Sequence, residues 1–326
     1  MIVSNDSIMI PPYEITPLIL KLIARIYGQL GEVKANFLSK PNPQLRKQNK
    51  IKTIHASLQI EGNTLTEEQV TAILENKRVI GPNKDILEVM NAIKVYESLE
   101  QFIPTSKKSF LNGHKLLMQG LIKDAGKYRS TGVGIMHGSQ IAHLAPPFDM
   151  VPHLMDDLFE YLKSKDELVF IKSCVFHYEM EFIHPFLDGN GRMGRLWQTL
   201  ILQKEYSVFE YLPVETIIHS NQSDYYKALS LSDQQGKSTP FIEYMLEIIA
   251  KSLEELLLYN NRIMTQQQRL EYFIQLGISP FTRKDYMNVF KDISSATASR
   301  DLLLGVKLKW IVKFGNKNKT SYILKS

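Results

Sequence analysis

Apolar positions recur at helical spacing along most of this chain and give way to alternation in two places only. Residues 17–27 read as an amphipathic helix with Pro17 near its first turn. A polar, basic patch over 41–52 leads into 53–61, where Ile54 and Leu58, with Ala56 and Ile60 offset, keep helical spacing. Gly62 and Asn63 predict the end of that helix, because both tolerate the left-handed conformation of a C-cap. Thr66 and Gln69 form a capping-box pattern that opens the next helix. Further helices are predicted over 87–102, closed by Pro104, and over 151–163, 170–183, 196–204, 223–231 and 239–264.

The first break in the helical pattern is 128–147. Two short β-prone pieces flank His137-Gly138-Ser139-Gln140, which predicts a hairpin, and a lone hairpin needs something to pack on or pair with. The second break closes the chain. After helices predicted over 268–276, from Thr282 onward, and over 294–304 with Gly305 as its stop, residues 309–314 and 320–324 read as two strands around a Gly315-Asn316-Lys317-Asn318-Lys319 tip. Three helices followed by a hairpin resemble a winged helix-turn-helix. Residues 1–12, ending in Pro11-Pro12, read as an arm.

Charge sharpens this division. The net charge of +5 is uneven: residues 262–326 carry +8, which leaves −3 on the rest. A basic module at the end of a mildly acidic body suggests a separate partner there, and Lys317 and Lys319 are candidates to touch nucleic-acid phosphate. An apolar fraction of 44% supports an ordinary globular core, and 326 residues allow two or three domains. The single cysteine, Cys174, excludes an internal disulfide, fits a reducing compartment and is most simply a core residue. Lacking a long apolar run or a secretory leader pattern, the chain is expected to be cytoplasmic and not a membrane protein.

Chemistry concentrates in His184-Pro185-Phe186-Leu187-Asp188-Gly189-Asn190-Gly191-Arg192-Met193-Gly194-Arg195. His184 can exchange a proton near neutral pH. Asp188 is a hard oxygen ligand suited to Mg²⁺. Gly189 and Gly191 let the backbone turn its N–H groups toward an anion. Arg192 and Arg195 carry fixed positive charge that can fork onto phosphate oxygens. An apolar helix follows, so the loop presents its ligand to a helix N-terminus.

This run resembles the signature of the Fic (Fic/Doc) family, His-x-Phe-x-(Asp/Glu)-Gly-Asn-Gly-Arg-x-x-Arg, with every fixed position matched. Ser57-Leu58-Gln59-Ile60-Glu61-Gly62-Asn63 resembles the family's inhibitory motif, (Ser/Thr)-x-x-x-Glu-(Gly/Asn). The hairpin at 132–145 falls where family members carry a flap that docks the target by strand pairing. The resemblance implies a mainly α Fic core with a small β-hairpin flap, and transfer of AMP from ATP to a Ser, Thr or Tyr hydroxyl of a target protein. It implies His184 as general base, Asp188 as Mg²⁺ ligand, and Gly189, Asn190 and Gly191 as an anion cradle. Arg192 would meet the β-phosphate, Arg195 the γ-phosphate, and Phe186 would anchor the loop in the core. Glu61, supported by Ser57 one turn earlier, would hold Arg195 and repel the γ-phosphate. ATP would then bind with its α-phosphate misaimed, and a misplacement of about 1 Å can cost on the order of 100-fold in rate. Val133, Ile135 and Ile141 are the flap residues expected to meet the target.

The implied division is an N-terminal helical region over 1–105 with the inhibitory helix at about 44–62, a catalytic core over 106–260, and a winged-helix-like domain over 265–326. Other readings stay open. The face shared by His177, Glu181 and His184 suggests a metal triad, but its spacing is not that of a zinc helix, and His177 reads more simply as a packing histidine. His137 and His143 lie on the flap and could meet substrate. The apolar stripe over 241–259 is core or a homodimer surface. The chain could modify itself, remove AMP, or transfer another phosphate-bearing group. A different class is a DNA-binding regulator in which the Fic-like core senses a nucleotide and the C-terminal module contacts DNA or protein.

Overall fold

The structure, a computed structural model, describes residues 11–35, 43–137, 140–263, 265–290, 293–315 and 320–325. Most of the predicted arm, Pro41 of the basic patch, and Lys317 and Lys319 of the basic tip lie outside the described residues.

The described architecture is mainly helical. α1 (Pro17–Ala35) outruns the predicted 17–27 because buried Leu30 and Val33 continue its apolar spacing. α2 (Pro43–Ile60) begins well before the expected Thr53. Its inward face mixes Leu45, Ile51 and Ile54 with buried Asn49, Thr53 and Ser57, which blurs the apolar period. Asn49 repays its burial by donating from Nδ2 to the Tyr211 carbonyl at 2.8 Å. α3 (Glu67–Leu74) opens on the expected Thr66–Gln69 capping box. α4 (Asn83–Glu97) and a 3₁₀ turn, Leu99–Gln101, replace the single helix expected over 87–102. α5 (Lys107–Leu117) is absent from the sequence expectations, since Gly113 lowers helix propensity at its centre. That glycine has a packing reason: a Cβ there would press on the Trp197 ring at 3.3 Å.

β1 (Gly134–His137) and β2 (Gln140–Leu144) pair antiparallel, with Gly134 opposite Leu144 and His137 opposite Gln140. Gly138 and Ser139 of the expected turn lie outside the described residues. α6 (Val151–Lys163), α7 (Val169–Ile183) and α8 (Asn190–Glu205) follow, and α7 lies against α8. α7 is apolar almost all round, as a helix buried on every side must be. α8 starts at Asn190, inside the glycine-rich run, rather than at 196. The left-handed Gly189 (φ 86°) turns the chain into the helix at once, so both signature arginines are helical. α9 (Val214–Ser220), α10 (Gln222–Gln235) and α11 (Thr239–Ile263) complete this part of the chain.

The chain divides into two compact units, one of residues 1–26 and 39–252, the other of 27–38 and 253–326. An aromatic cluster anchors the first. Phe110 on α5 stands edge-on to Trp197 (5.1 Å), Phe159 (5.5 Å) and Phe176 (6.0 Å), and stacks on Phe186 of the signature (5.4 Å).

In the second unit, α12 (Gln266–Gln275), α13 (Arg283–Val289) and α14 (Ser295–Lys307) precede an antiparallel pair, β3 (Ile311–Phe314) and β4 (Ser321–Leu324). Thr265, Thr282 and Ser294 cap the three helices. Gly305 does not stop the third, as expected, but lies within it. A Cβ there would meet Leu270 and Ile311 at 3.0 Å, so the glycine serves close packing. The buried Arg269–Asp301 pair, at 2.6 and 2.9 Å, holds α12 to α14, with the Tyr286 hydroxyl donating to the same carboxylate at 3.2 Å.

Among the described residues no helix is long and apolar enough to cross a membrane. Phe110→Ala should destabilise the first unit by about 3–5 kcal/mol, the usual cost of deleting a buried aromatic. Urea unfolding against the wild type checks this.

Candidate active site

The signature run is the turn from α7 into α8. His184 ends α7 in the left-handed region (φ 49°, ψ 58°), donating its backbone N–H to Met180 at 3.1 Å. A non-glycine residue held there stores on the order of 1–3 kcal/mol, and its surroundings must impose it. Arg129 does so. It is 4% exposed. Its Nε donates to the His184 carbonyl at 2.8 Å and its backbone N–H to Pro185 at 2.8 Å. Its guanidinium also donates to Thr131 at 3.0 Å and Pro146 at 2.5 Å, which bracket the β1–β2 pair. One cation thus ties the base of the hairpin to the start of the signature. The His184 ring places Nδ1 3.4 Å from the Glu181 carbonyl. The tautomer that donates there leaves Nε2 as the basic nitrogen.

The rest of the loop is clamped from inside. Asn190 closes it, accepting from the Phe186 N–H and donating to the Phe186 carbonyl, both at 2.9 Å. Phe186 is fully buried and lies flat on His114, centroids 3.5 Å apart. His114 Nδ1 accepts from the Gly126 N–H at 2.9 Å, so Nε2 carries the proton and donates to the Asp188 carbonyl at 2.9 Å. Burial pushes the His114 pKa down to about 4, against the pull of the Asp188 carbonyl, and the ring stays neutral. A Cβ on Gly189 would strike Met118 Sδ at 2.8 Å, and one on Gly191 would run into the Glu61 carboxylate.

Asp188 is half-exposed, and its Oδ1 accepts from the Gly189 N–H (2.6 Å) and Arg192 (2.8 Å). A part-exposed carboxylate beside a helix N-terminus suits Mg²⁺, which takes one or two carboxylates and completes its shell with phosphate oxygens and water. Among the described residues no group of three or more His, Cys, Asp or Glu could hold a metal by itself.

Both arginines are buried and both are held. Arg192 donates to Asp188 and, at 3.2 Å, to Glu88 of α4; its Nε is buried without a partner among the described residues. Arg195 donates from Nε to the Ser57 hydroxyl (3.2 Å), and from one terminal nitrogen to the Ser57 carbonyl (3.0 Å) and Glu61 (2.7 Å). Glu61 sits just beyond the last residue of α2, ahead of left-handed Gly62 (φ 87°). Gln222 donates to the Ile60 carbonyl at 3.0 Å and caps that end of α2.

Behind Arg195 lies a buried polar chain. His177 meets Gln198 at 2.6 Å and the Tyr225 hydroxyl at 3.0 Å, and burial takes its pKa down to about 3. Tyr225 donates to Glu181 at 3.2 Å. Burial first, and the Glu61 charge second, push the Glu181 carboxyl up to about 7. Cys174 is buried beside Gln198. On the hairpin, Val133 precedes β1, Ile135 pairs with His143, and Ile141 pairs with Met136.

His114, Arg129 and Glu88 escaped the sequence reading. Each acts on the signature from 55 to 104 positions away, and no local spacing marks such partners.

A carboxyl whose pKa is raised from 4.5 to about 7 on folding keeps its proton in the folded state while the unfolded chain has lost its own. Glu181 therefore contributes a fall in stability as pH rises through that window. Glu181→Gln should flatten that fall, checked by chemical denaturation of both proteins at the two ends of the window.

The Fic/DOC family pattern matches residues 104–202, which hold the whole signature. A protein adenylyltransferase Fic of Nematostella vectensis is 27% identical over 255 residues, 73% of this chain and 57% of that protein. One of Drosophila erecta is 30% identical over 213 residues, 62% of this chain and 40% of that protein. The chain thus spans only about half the length of the curated relatives it matches. A fragment of Fic-1 from Caenorhabditis elegans shares the fold, with a TM-score of 0.59 over 73% of each chain at 21% identity. A Fic family protein from Desulfovibrio desulfuricans superposes with a TM-score of 0.75 at 41% identity, covering 98% of this chain and 99% of that one. Identity at that level along essentially the whole length of both chains, with every fixed position of the loop in place, makes this chain a member of the Fic family.

Proposed function

We propose that the protein is an adenylyltransferase that moves AMP from ATP to a Ser, Thr or Tyr hydroxyl of a target protein and is restrained by its own Glu61. The single observation that carries this reading is the 2.7 Å contact of Glu61 with the buried Arg195 inside a complete Fic signature. The names of the curated relatives supply the reaction class. In this reading residues 106–260 form the catalytic core, 1–105 the inhibitory region and 265–326 a winged-helix-like module.

The reaction follows from the chain's own groups. The target hydroxyl oxygen attacks the α-phosphorus, the bond from that phosphorus to the α,β-bridging oxygen breaks, and pyrophosphate leaves. His184 Nε2 takes the hydroxyl proton. The N–H groups at the start of α8, opened by Gly189 and Gly191, receive phosphate oxygens. Arg192 meets the β-phosphate with guanidinium N–H groups that Glu88 and Asp188 leave over, and Arg195 receives the γ-phosphate once Glu61 leaves. Asp188 would hold Mg²⁺, which when bound neutralises α- and β-phosphate charge. The target strand pairs with the hairpin over 132–145, beside Val133, Ile135 and Ile141. Removal of AMP on the same fold would instead use Glu61 to position water.

A basic groove in the second unit, lined by Arg283, Lys284 and Lys313 with Thr282, Ser299 and Tyr322, favours a second reading, a DNA contact. A regulator of that kind should bind duplex DNA with a salt slope that drops by about one for each phosphate-contacting lysine or arginine removed. Salt-independent or absent binding removes this reading.

With α-labelled ATP and Mg²⁺, Glu61→Gly should raise transfer of label to protein, including to itself, on the order of 100-fold over wild type. Adding His184→Ala should lower it again by about 10²–10⁴-fold. Equal labelling of wild type and Glu61→Gly would remove the inhibitory role.

A further inference from the structure

Arg192 and Arg195 sit one turn apart on α8, and each is met by a carboxylate from the N-terminal part of the chain. Glu61 on Arg195 belongs to the inhibitory motif. Glu88 on Arg192 belongs to no motif.

Glu88 is 6% exposed, and both of its oxygens are engaged. Oε1 accepts from Arg192 at 3.2 Å, with the exposed Lys84 ammonium 3.8 Å away. Oε2 accepts from Asn63 Nδ2 at 2.8 Å. Asn63 lies two residues beyond Glu61 and is itself fixed: its backbone N–H donates to Leu58 at 3.1 Å, its Nδ2 also reaches the Asp85 carbonyl at 3.1 Å, and its Oδ1 accepts from the Leu65 N–H at 3.1 Å. The other side of the Arg192 guanidinium is taken by Asp188. A continuous polar path therefore runs from the segment bearing Glu61, through Asn63 and Glu88, to Arg192 and Asp188. A guanidinium gripped on two sides by carboxylates has its plane fixed, and with it the directions of the N–H groups those contacts leave over.

We infer that Glu88 is a positioning residue for Arg192, and that Asn63 couples it to the segment carrying Glu61. Glu88 touches no substrate in this role. It fixes the plane in which Arg192 presents its remaining N–H groups, so displacement of the 61–63 segment both frees Arg195 and loosens Arg192. The inference rests on the reading that Arg192 meets the β-phosphate.

Titration calorimetry of ADP and AMP on the full chain tests it, because only ADP has the phosphate that Arg192 would meet. Glu88→Gln should weaken ADP roughly ten-fold, the lower end of what loss of a supporting partner costs a ligand site, and leave AMP unchanged. Arg192→Ala should weaken ADP at least as much, and the double variant no more than Arg192→Ala alone. Asn63→Ala, which spares the carboxylate, should shift ADP in the same direction by less; it carries the test if Glu88→Gln does not fold. An equal loss of ADP and AMP would reduce Glu88 to general scaffolding. Unchanged ADP binding, or tighter binding with Glu88 acting as a competitor of phosphate, would also overturn the inference. An unchanged ADP-to-AMP ratio in Arg192→Ala would remove the phosphate reading of Arg192 itself, and this inference with it.

Discussion

A guanidinium that is 2% exposed cannot stand without a counter-charge, and Arg195 is such a group. Leaving one partner of a buried ion pair uncompensated costs about 3–5 kcal/mol. Glu61 and the two oxygens of Ser57 meet that requirement in this structure. The surroundings conform to the pair. Gly191 has no side chain because the Glu61 carboxylate lies where a Cβ would be. Glu181, facing the same spot, titrates near neutrality rather than as an ordinary carboxylate because it is buried next to Glu61. In the proposed reading the same electrostatics makes the restraint reversible. Once Glu61 leaves, the γ-phosphate of ATP supplies the counter-charge that Arg195 requires.

The loop between α7 and α8 shows how a strained turn is held without being rigid in itself. His184 occupies a left-handed conformation that its own chemistry does not favour. Arg129 holds its carbonyl, Asn190 bridges across the loop, and neutral His114 supports both the Phe186 ring and the Asp188 carbonyl. These supports come from α5, from the first residue of α8 and from the segment leading into the hairpin, so loop and hairpin base share the Arg129 side chain. Glu88 extends the same logic to Arg192 from α4.

Local chemistry explains which parts were legible in the sequence. The Thr66–Gln69 box, the Gly62-Asn63 stop and the apolar run of α7 are short-range patterns, and the structure follows them. α5 was hidden because Gly113 is a poor helix former retained for contact with Trp197. The first half of α2 was hidden because it is polar and basic and its inward face carries Asn49 between Leu45 and Ile51. Gly305 misled in the opposite direction: it reads as a helix stop, yet it is a packing notch against Leu270 and Ile311.

The sequence by itself determined the reactive set, His184, Asp188, two glycines, Asn190 and two arginines, because these lie within twelve consecutive residues and their spacing is their geometry. It also marked Glu61, through a short motif that resembles a known one. The resemblance also paired Glu61 with Arg195, but only the tertiary structure decided that Glu88 holds Arg192 and that His114 supports the loop. Glu61 and Glu88 stand 134 and 104 positions from the arginines they hold, and His114 stands 74 positions from the carbonyl it supports. Separations of that size are bridged by helix packing, and periodicity along the chain records that a helix has a buried face but not which side chain that face will meet.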